Sequence, residues 1–239
     1  MHDRSVAIVG RGRLGTALAR ALRAVGVSVL GPLGRGSDGG SAPVVLLCVP
    51  DAAISDAAHR IAPGRLIGHC SGLSTLEPLA PHEAFSLHPL MTVTGDTDSF
   101  AGVSCAVAGS TLRALDEARE LARTLGMQPF EIADEDRPLY HAAASLASNY
   151  LVTLEGAAER LANMVGLERD RLAPLVRAAV DNWARGGARA ALTGPIVRGD
   201  EATLQRQRAA VASRASDLIP LWDALTDATR SLAHGGHAS

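Results

Sequence analysis

The stretch Val6-Ala-Ile-Val-Gly10-Arg-Gly12-Arg-Leu-Gly15-Thr-Ala-Leu-Ala-Arg20 decides the fold. Its first four residues are apolar and predict a short buried strand, while leucines at 14, 18 and 22 recur at helical spacing. Glycines at 10, 12 and 15 lie between these two patterns. A strand, a G-x-G-x-x-G turn and a helix in this order predict a dinucleotide-binding turn.

Each glycine of this turn has a separate task in such a fold. Gly10 permits the tight turn, Gly12 lets the backbone approach a pyrophosphate, and Gly15 lets the helix pack close to the strand. The first helical N–H groups, at Arg13 and Leu14, then face the phosphates. The alternative, a tight strand–helix turn that binds nothing, remains open on the motif alone.

Composition and charge restrict the class of protein. The 239 residues are 47% hydrophobic and 20% charged, as in ordinary globular proteins, and the net charge is −2. This balance gives no electrostatic case for binding nucleic acid or an anionic membrane. No apolar run approaches the roughly 18 residues of a membrane span, and the early first strand leaves no room for a signal peptide. We therefore expect a cytoplasmic protein.

The three cysteines do not form a recognisable framework. Cys48, Cys70 and Cys105 are odd in number and scattered through apolar, strand-like runs. We interpret them as buried thiols in a reducing compartment, because a disulfide framework or a zinc site needs regular spacing. The histidines also lack the spacing of ligands, so no metal site is predicted.

Strand-like and helical segments alternate through the first half of the chain. Strands are predicted at 27–30, 44–49, 65–70, 84–91, 103–107 and 129–132, with helices at 52–61 and 112–125. This alternation predicts an α/β, Rossmann-type domain with a mostly parallel sheet over residues 1–133. Residues 134–239 predict an all-α domain, with helices at 137–165, 172–183, 202–219 and 221–232 and a disordered tail from 234.

The end of the second strand bears on the choice of cofactor. In NAD-binding folds an acidic residue about 20 residues past the glycines binds the ribose 2′-OH. Here the strand runs into Gly31-Pro-Leu-Gly34, no carboxylate occurs before Asp38, and Arg35 stands nearby. An arginine can bind a 2′-phosphate, so the sequence favours NADP over NAD, although a solvated arginine on a Gly-rich loop is the alternative.

Three later strand ends are expected at the same site, because ligands of doubly wound sheets bind beyond the carboxyl ends of the strands. Val49 and Pro50 follow one apolar run and are predicted to line the cofactor site. Ser71, in the turn after the next strand, is predicted to contact the substrate or the nicotinamide amide. His88 follows a third strand and is a candidate for the same crevice, with a structural histidine as the alternative.

The long helical pattern after residue 137 carries a polar stripe. His141, Ser145 and Asn149 are four residues apart, and each step of four advances 400° around a helix, so all three share one stripe. We predict that His141 donates a proton to a developing alkoxide or amine and that Asn149 holds the substrate by hydrogen bonds. The alternative is a His and an Asn satisfied between packed helices.

A segment interrupted by Gly and Pro, Leu192-Thr-Gly-Pro-Ile-Val-Arg-Gly-Asp200, separates two predicted helices. Thr193 and Arg198 in this loop suit a carboxylate or phosphate on a ligand. The alternative is a helix connection in which Arg198 pairs with Asp200 or caps a helix end.

Together these strings resemble a bacterial family of uncharacterised Rossmann-like oxidoreductases. The resemblance rests on the glycine turn and on residues 49–51, 69–72, 86–89, 140–149 and 192–200. The C-terminal half is similar to the helical domain of the 6-phosphogluconate dehydrogenase superfamily, and ketopantoate reductase, pyrroline-5-carboxylate reductase and coenzyme F420-dependent NADP reductase are more distant relatives. The resemblance implies NAD(P) binding, a homodimer built on the helical domain and a cleft between the domains.

One departure from these relatives bears on the chemistry. In the β-hydroxyacid dehydrogenase branch a lysine four residues before the helix asparagine is the catalytic acid, whereas this chain has Ser145 there. One hypothesis is an NADP-preferring reductase that transfers hydride between nicotinamide and a carbonyl or imine carbon of a small substrate, with His141 as acid and His88 in reserve. The other is an NAD(P)-binding regulatory protein without turnover, and a deazaflavin cofactor is a third hypothesis.

Overall fold

The N-terminal apolar run forms the strand β1 (Ser5–Val9) in the computed structural model, which describes residues 5–235. The predictions made for the very start of the chain and for the tail beyond Gly235 lie outside these residues. Strand β1 pairs in parallel with β2 (Ser28–Leu33) on one side and with β3 (Val44–Leu47) on the other.

Seven strands form one sheet in the order β2-β1-β3-β4-β5-β6-β7, where the remaining strands are β4 (Leu66–His69), β5 (Glu83–Pro89), β6 (Ser104–Gly109) and β7 (Gln128–Glu131). Neighbouring strands are parallel except for β5 and β6. The predicted mostly parallel, Rossmann-type sheet is therefore confirmed. The strand order reverses between β1 and β3, which is the topological switch point where doubly wound sheets bind ligands.

Helices cover both faces of the sheet. Helices α1 (Arg13–Ala24) and α3 (Leu112–Thr124) pack on one face, and the short α2 (Ile54–Ala58) packs on the other. Val6 and Ile8 are buried in the first layer, and their neighbours in the strand are buried in the second. Successive side chains of a strand point to opposite faces, so burial of both faces accounts for the unbroken apolar run.

The chain divides into two compact units, Met1–Ser148 and Asn149–Ser239. Helix α4 (Arg137–Ser145) belongs to the first unit. The second unit contains α5 (Leu151–Asn163), α6 (Arg169–Ala191, kinked at Gly187), α7 (Glu201–Arg214) and α8 (Ile219–His234), which confirms an all-α C-terminal region. The division falls later than the expected boundary after residue 133, because α4 is attached to the sheet by a hydrogen bond from Arg137 to Ser86 of β5.

Several elements differ in extent from the sequence prediction. The helix predicted at 172–183 is longer, as α6, and the one predicted at 202–219 ends at Arg214, where a 3-10 turn (Ser216–Leu218) separates α7 from α8. Strand β2 continues through Gly31 to Leu33, where its pairing with β1 shifts register. The helix predicted at 52–61 is a single 3-10 turn (Asp51–Ala53) followed by the five residues of α2. The long helix predicted at 137–165 is interrupted by a π-helical turn, Leu146–Tyr150. Within residues 5–235 no helix is both long and apolar enough to cross a membrane.

Candidate functional site

The glycine turn packs directly against the end of β3. A Cβ on Gly10, whose φ is +128°, would lie 2.1 Å from the carbonyl oxygen of Cys48, and a Cβ on Gly15 would lie 2.1 Å from the carbonyl oxygen of Gly10. The fold itself therefore requires glycine at both positions. Gly12 differs, because a Cβ there would meet nothing within 4 Å and its φ is −72°. Packing within the chain gives no reason for a glycine at 12, whereas the close approach of a ligand does.

Helix α1 begins in a setting that favours an anion. Its N-cap, Gly12, has no side chain to cap the free N–H groups, and its first turn contains no acidic residue. Arg13 is exposed at the first helical position, and the guanidinium of Arg11 lies 3.5 Å from the place of a Cβ on Gly34. The partial positive charge of the helix end is thus flanked by two arginines.

A cavity of about 400 Å³ opens beside this turn, at the carboxyl ends of β3, β4 and β5. Its lining includes most of the residues predicted to bind the cofactor or to act in the same crevice: Gly12, Arg13, Leu14, Val49, Pro50, Ser71 and His88. The residues that were predicted from their places at strand ends therefore lie on one continuous surface. Asp51 and Cys70, which belong to the strings at 49–51 and 69–72, also line the cavity, as does Cys48, which no motif marks.

A second cavity, of about 310 Å³, shares Val49 and Pro50 with the first. It is lined by Arg35, the residue predicted to face the ribose, and also by Arg60 and Asp56, which the sequence analysis missed. Arg60 lies just beyond α2, where a lone exposed arginine carries no recognisable pattern. The two compartments meet beside the glycine turn, as the two halves of a dinucleotide meet at its diphosphate.

The turn after β4 is held together by Ser71. Its hydroxyl donates to Oδ2 of Asp51 at 2.7 Å and accepts from the N–H groups of Leu73 and Ser74 at 3.1 and 2.8 Å. The N–H of Ser71 donates to Nδ1 of His69 at 3.2 Å. The hydroxyl and the N–H of Ser71 are thus engaged within the turn and with Asp51, so Ser71 shapes the cavity wall and its contact with a ligand stays a prediction.

Two imidazole rings converge on Gly72. A Cβ at this position would lie 2.9 Å from Cε1 of His88 and 3.1 Å from Cδ2 of His141. A hydrogen bond of 2.6 Å joins Nδ1 of His88 to the hydroxyl of Tyr140, and the two rings meet edge to face. The structure therefore places the predicted acid His141, His88 and Tyr140 in one cluster.

His88 is held in its neutral form. Burial is the largest cause that lowers the pKa of His88 from 6.5 to about 4, and the nearby His141 and Arg137 lower it further. Burial also raises the pKa of Tyr140 to about 12. At neutral pH His88 carries no imidazolium proton to transfer, which argues against its predicted role as a reserve acid.

Arg137 is a buried cation close to this cluster. Its side chain is 1% exposed, Nε donates to Oδ1 of Asp134 at 2.8 Å, and Nη2 donates to Oγ of Ser86 at 2.7 Å. Nη1 has no hydrogen-bond partner among the residues described, and an unsatisfied buried donor costs about 1–3 kcal/mol. Sequence reasoning missed Arg137, because a charged residue before a helix-starting proline is usually solvated.

The long helix that carries the predicted stripe contains a π-helical turn. Ser145 ends α4 in the first unit, whereas Asn149 lies in the π-helical turn and opens the second unit. A π-helical turn contains an extra residue, so the 3.6-residue spacing fails across 146–150. Ser145 is half-buried and Asn149 is exposed. The chain contains no lysine at all, so no ammonium group from another position can replace the missing catalytic one.

The loop at 192–200 lies within the second unit. Thr193 lines a cavity of about 230 Å³ together with Ile196 and Trp222, and Arg198 is exposed. Asp200 caps α7 by accepting a hydrogen bond from the N–H of Thr203 at 3.0 Å. A ligand at Thr193 and Arg198 stays a prediction.

The environment of His88 predicts a displaced titration. We expect its Cε1 proton to titrate near pH 4 by NMR, with the resonance identified by its loss in His88→Gln. In the unfolded chain His88 is protonated near pH 6.5, whereas in the folded protein it is protonated only near pH 4. Protons therefore favour the unfolded chain between these values, and the free energy of unfolding falls as the pH drops from 6.5 towards 4. His141→Asn should raise the midpoint more than Arg137→Met, and a wild-type midpoint near 6.5 would contradict this geometry.

Proteins of known structure share this fold over nearly their whole length. A Bacteroides fragilis protein proposed to be an NADP oxidoreductase is 19% identical with a TM-score of 0.83, and the match covers 96% of this chain and 98% of that one. The Aspergillus terreus reductive aminase in complex with NADPH and ethyl-5-oxohexanoate is 16% identical, with a TM-score of 0.68 and coverage of 98% and 96%. Pyrroline carboxylate reductase of Plasmodium falciparum with NADP bound is 13% identical, with a TM-score of 0.61 and coverage of 98% and 99%.

At such identities these likenesses establish the fold alone, and no curated protein matches the sequence. A family model does match, over residues 103–229, which is more than half of the chain. The resemblance to an uncharacterised Rossmann-like family is thereby confirmed. The chain belongs to the family described as Domain of unknown function (DUF2520).

Proposed function

We propose that this protein is an NADP-preferring reductase of a carbonyl or imine carbon in a small substrate. The observation that carries the proposal is the glycine turn, where Gly12 faces open space and two cavities meet at Val49 and Pro50. A bound nicotinamide would supply the hydride. The three similar structures support the same class of reaction, since their names are those of NADP-linked oxidoreductases and reductive enzymes.

The residues of the first unit fit the parts of such a cofactor. The N-terminus of α1, with Arg13 beside it, would hold the diphosphate, because its N–H groups lack side-chain caps. The larger cavity, which reaches His88, would take the nicotinamide half. The cavity lined by Arg35 and Arg60 would take the adenosine half.

The charges of the adenosine compartment support NADP as the preferred form. Arg35 and Arg60 are both exposed and line one cavity, where they would meet a 2′-phosphate with charge-assisted hydrogen bonds. No carboxylate occurs between the end of β2 and Arg35. Asp56 in the same cavity is the one feature that suits the free hydroxyls of NAD, so NAD is the competing ligand.

We assign proton donation to His141. It stands beside Gly72 with His88, and burial holds His88 neutral, so the role of proton donor in this cluster falls to His141. Tyr140 would fix the orientation of His88 through the 2.6 Å hydrogen bond. On the sequence argument alone, we propose that four further residues help to hold the substrate: Ser145, Asn149, Thr193 and Arg198.

The alternative is a nucleotide-binding regulatory protein without turnover. Two observations favour it: the sequence contains no lysine, and the hydroxyl and N–H of Ser71 are already engaged by Asp51 and His69. The same cofactor site serves both hypotheses. They differ only in whether the His141 cluster completes a reaction.

We also propose a homodimer through the helical unit. Among its described residues the buried hydrophobic side chains are small in number: Ala162, Leu204, Val211 and Ala215. Large apolar side chains are exposed on its helices, including Val152 at 72%, Leu175 at 69% and Trp183 at 57%. A second copy that covers such surface would supply the core that this unit lacks.

Turnover of a substrate panel tests the reductase hypothesis. NADPH oxidation, followed by absorbance against 2-oxo acids and cyclic imines, should be detectable for wild type and should fall about 10²- to 10⁴-fold in His141→Ala, because a positioned acid contributes that much. NADPH affinity should stay unchanged in this variant. His59→Gln is the matched control, since His59 is exposed on α2 and bonds to the carbonyl of Ser55. Tight NADPH binding without turnover on any substrate would favour the regulatory alternative.

Substitution of the two compartment arginines tests the NADP preference. Arg35→Ala with Arg60→Ala should weaken NADPH binding by at least about tenfold, because a hydrogen bond to a charged group contributes about 1.5–3 kcal/mol. NADH binding should change little. Both affinities can be measured by nucleotide fluorescence, with Arg123→Ala, an exposed residue of α3, as the control. Equal losses for both nucleotides would contradict a 2′-phosphate site.

A further inference from the structure

Two cysteines from different strands meet in the wall of the larger cavity. Cys48 follows β3 and Cys70 follows β4, and their sulfur atoms are 3.8 Å apart. The register of the two parallel strands pairs Leu47 with His69, so the cysteines are the next pair in line. Neighbouring strands are about 4.8 Å apart, which lies within the Cα separation that a disulfide spans. Two of the three cysteines, which lie far apart in the sequence, are thus brought together, and Cys105 is not.

The two thiols differ in accessibility, so each would have a different role in an oxidation. Cys48 is half-buried, whereas Cys70 is buried. The contact with Cys48, followed by burial, raises the pKa of Cys70 well above its usual value. Cys48 is therefore the thiol that an oxidant in the cavity reaches first, and Cys70 is placed to react with it afterwards.

We propose that Cys48 and Cys70 are an oxidisable pair that closes to an intrachain disulfide inside the candidate cofactor cavity. The oxidant is a hydroperoxide, ROOH. Sulfur of Cys48 attacks the terminal peroxide oxygen, the O–O bond breaks, ROH leaves, and Cys48 becomes a sulfenic acid. Sulfur of Cys70 then attacks Cys48, the S–S bond forms, the S–O bond breaks and water leaves with the thiol proton. The two thiols lose two electrons in total, and the peroxide takes them up.

Formation of this disulfide would change the packing of Cys48 against the glycine turn. The carbonyl of Cys48 occupies the space that a Cβ on Gly10 would need, and the Cβ of Cys48 lies 3.1 Å from the corresponding position on Gly15. Drawing Cys48 towards Cys70 therefore disturbs the packing that shapes the turn. On the proposed function, the disulfide weakens NADPH binding, and by reciprocity bound NADPH protects the pair from oxidation.

Peptide analysis after treatment with hydrogen peroxide tests the disulfide without any cofactor. The reduced protein is oxidised, remaining thiols are alkylated, and linked peptides are identified by mass spectrometry. Cys70 and Cys105 share one tryptic peptide, bounded by Arg65 and Arg113, so a second cleavage after Glu83 separates them. We expect a peptide linking Cys48 to Cys70, while Cys105, buried in β6, is alkylated only after unfolding.

Matched variants make the outcome decisive. Cys105→Ala should form the same disulfide, whereas Cys48→Ser and Cys70→Ser should form none. Absence of the linked peptide in wild type, or a link to Cys105 instead, overturns the proposal. This result does not depend on whether the protein binds a nucleotide, so it is separate from the fate of the proposed function.

The coupling to the cofactor is measured on the same samples. We expect oxidised wild type to bind NADPH at least about tenfold more weakly than reduced wild type, with dithiothreitol restoring the affinity. Cys48→Ser, which lacks the thiol that the peroxide oxidises first, should bind equally before and after peroxide. A linked peptide with unchanged NADPH affinity overturns the effect on the turn, and a reduced protein without any NADPH affinity overturns the proposed function while the peptide result stands.

Discussion

The contact between the glycine turn and the backbone of Cys48 is the constraint on which the site depends. The carbonyl oxygens of Cys48 and Gly10 occupy the places of two missing Cβ atoms, on Gly10 and Gly15, so β1, β3 and α1 approach as closely as backbone allows. This approach brings the N-terminus of α1 to the switch point of the sheet. The free N–H groups of the helix and the two cavities around Val49 and Pro50 then follow from the same packing.

A second group of interactions sets the electrostatics on the other side of the larger cavity. Arg137 is buried, and its Nη1 finds no hydrogen-bond partner within residues 5–235. It lowers the pKa of both His69 and His88, although burial is the larger cause for each. His69 donates from Nε2 to the carbonyl of Thr75 at 2.9 Å and accepts at Nδ1, so it too is neutral. His88 lines the cavity as a neutral imidazole in the field of the buried Arg137, a setting that favours negative charge in a ligand, such as a phosphate or a developing alkoxide.

Local patterns were sufficient for the sheet, for its cofactor edge and for most of the cavity lining, because strand periodicity and the glycine spacing act over short distances. The features that the sequence did not reveal all depend on contacts between distant segments. Burial of Arg137 requires Ser86, 51 positions away, and the approach of Cys48 to Cys70 requires the strand register. The π-helical turn at Leu146–Tyr150 lies in an Ala- and Leu-rich run that gives no local sign of it, whereas the spacing argument for the stripe assumed an uninterrupted α-helix.

The central claim is that a dinucleotide's diphosphate rests on the turn at Gly12, and calorimetric titration with NADPH of wild type and Gly12→Ala tests it most directly. A methyl group at this position meets nothing within 4 Å, so the variant should keep its free energy of unfolding within about 1 kcal/mol of wild type. The account predicts a wild type that binds NADPH and a variant that binds at least about tenfold more weakly, since the methyl group would stand where the phosphates lie. Equal affinities in the two proteins, or a wild type that releases no binding heat, would contradict it.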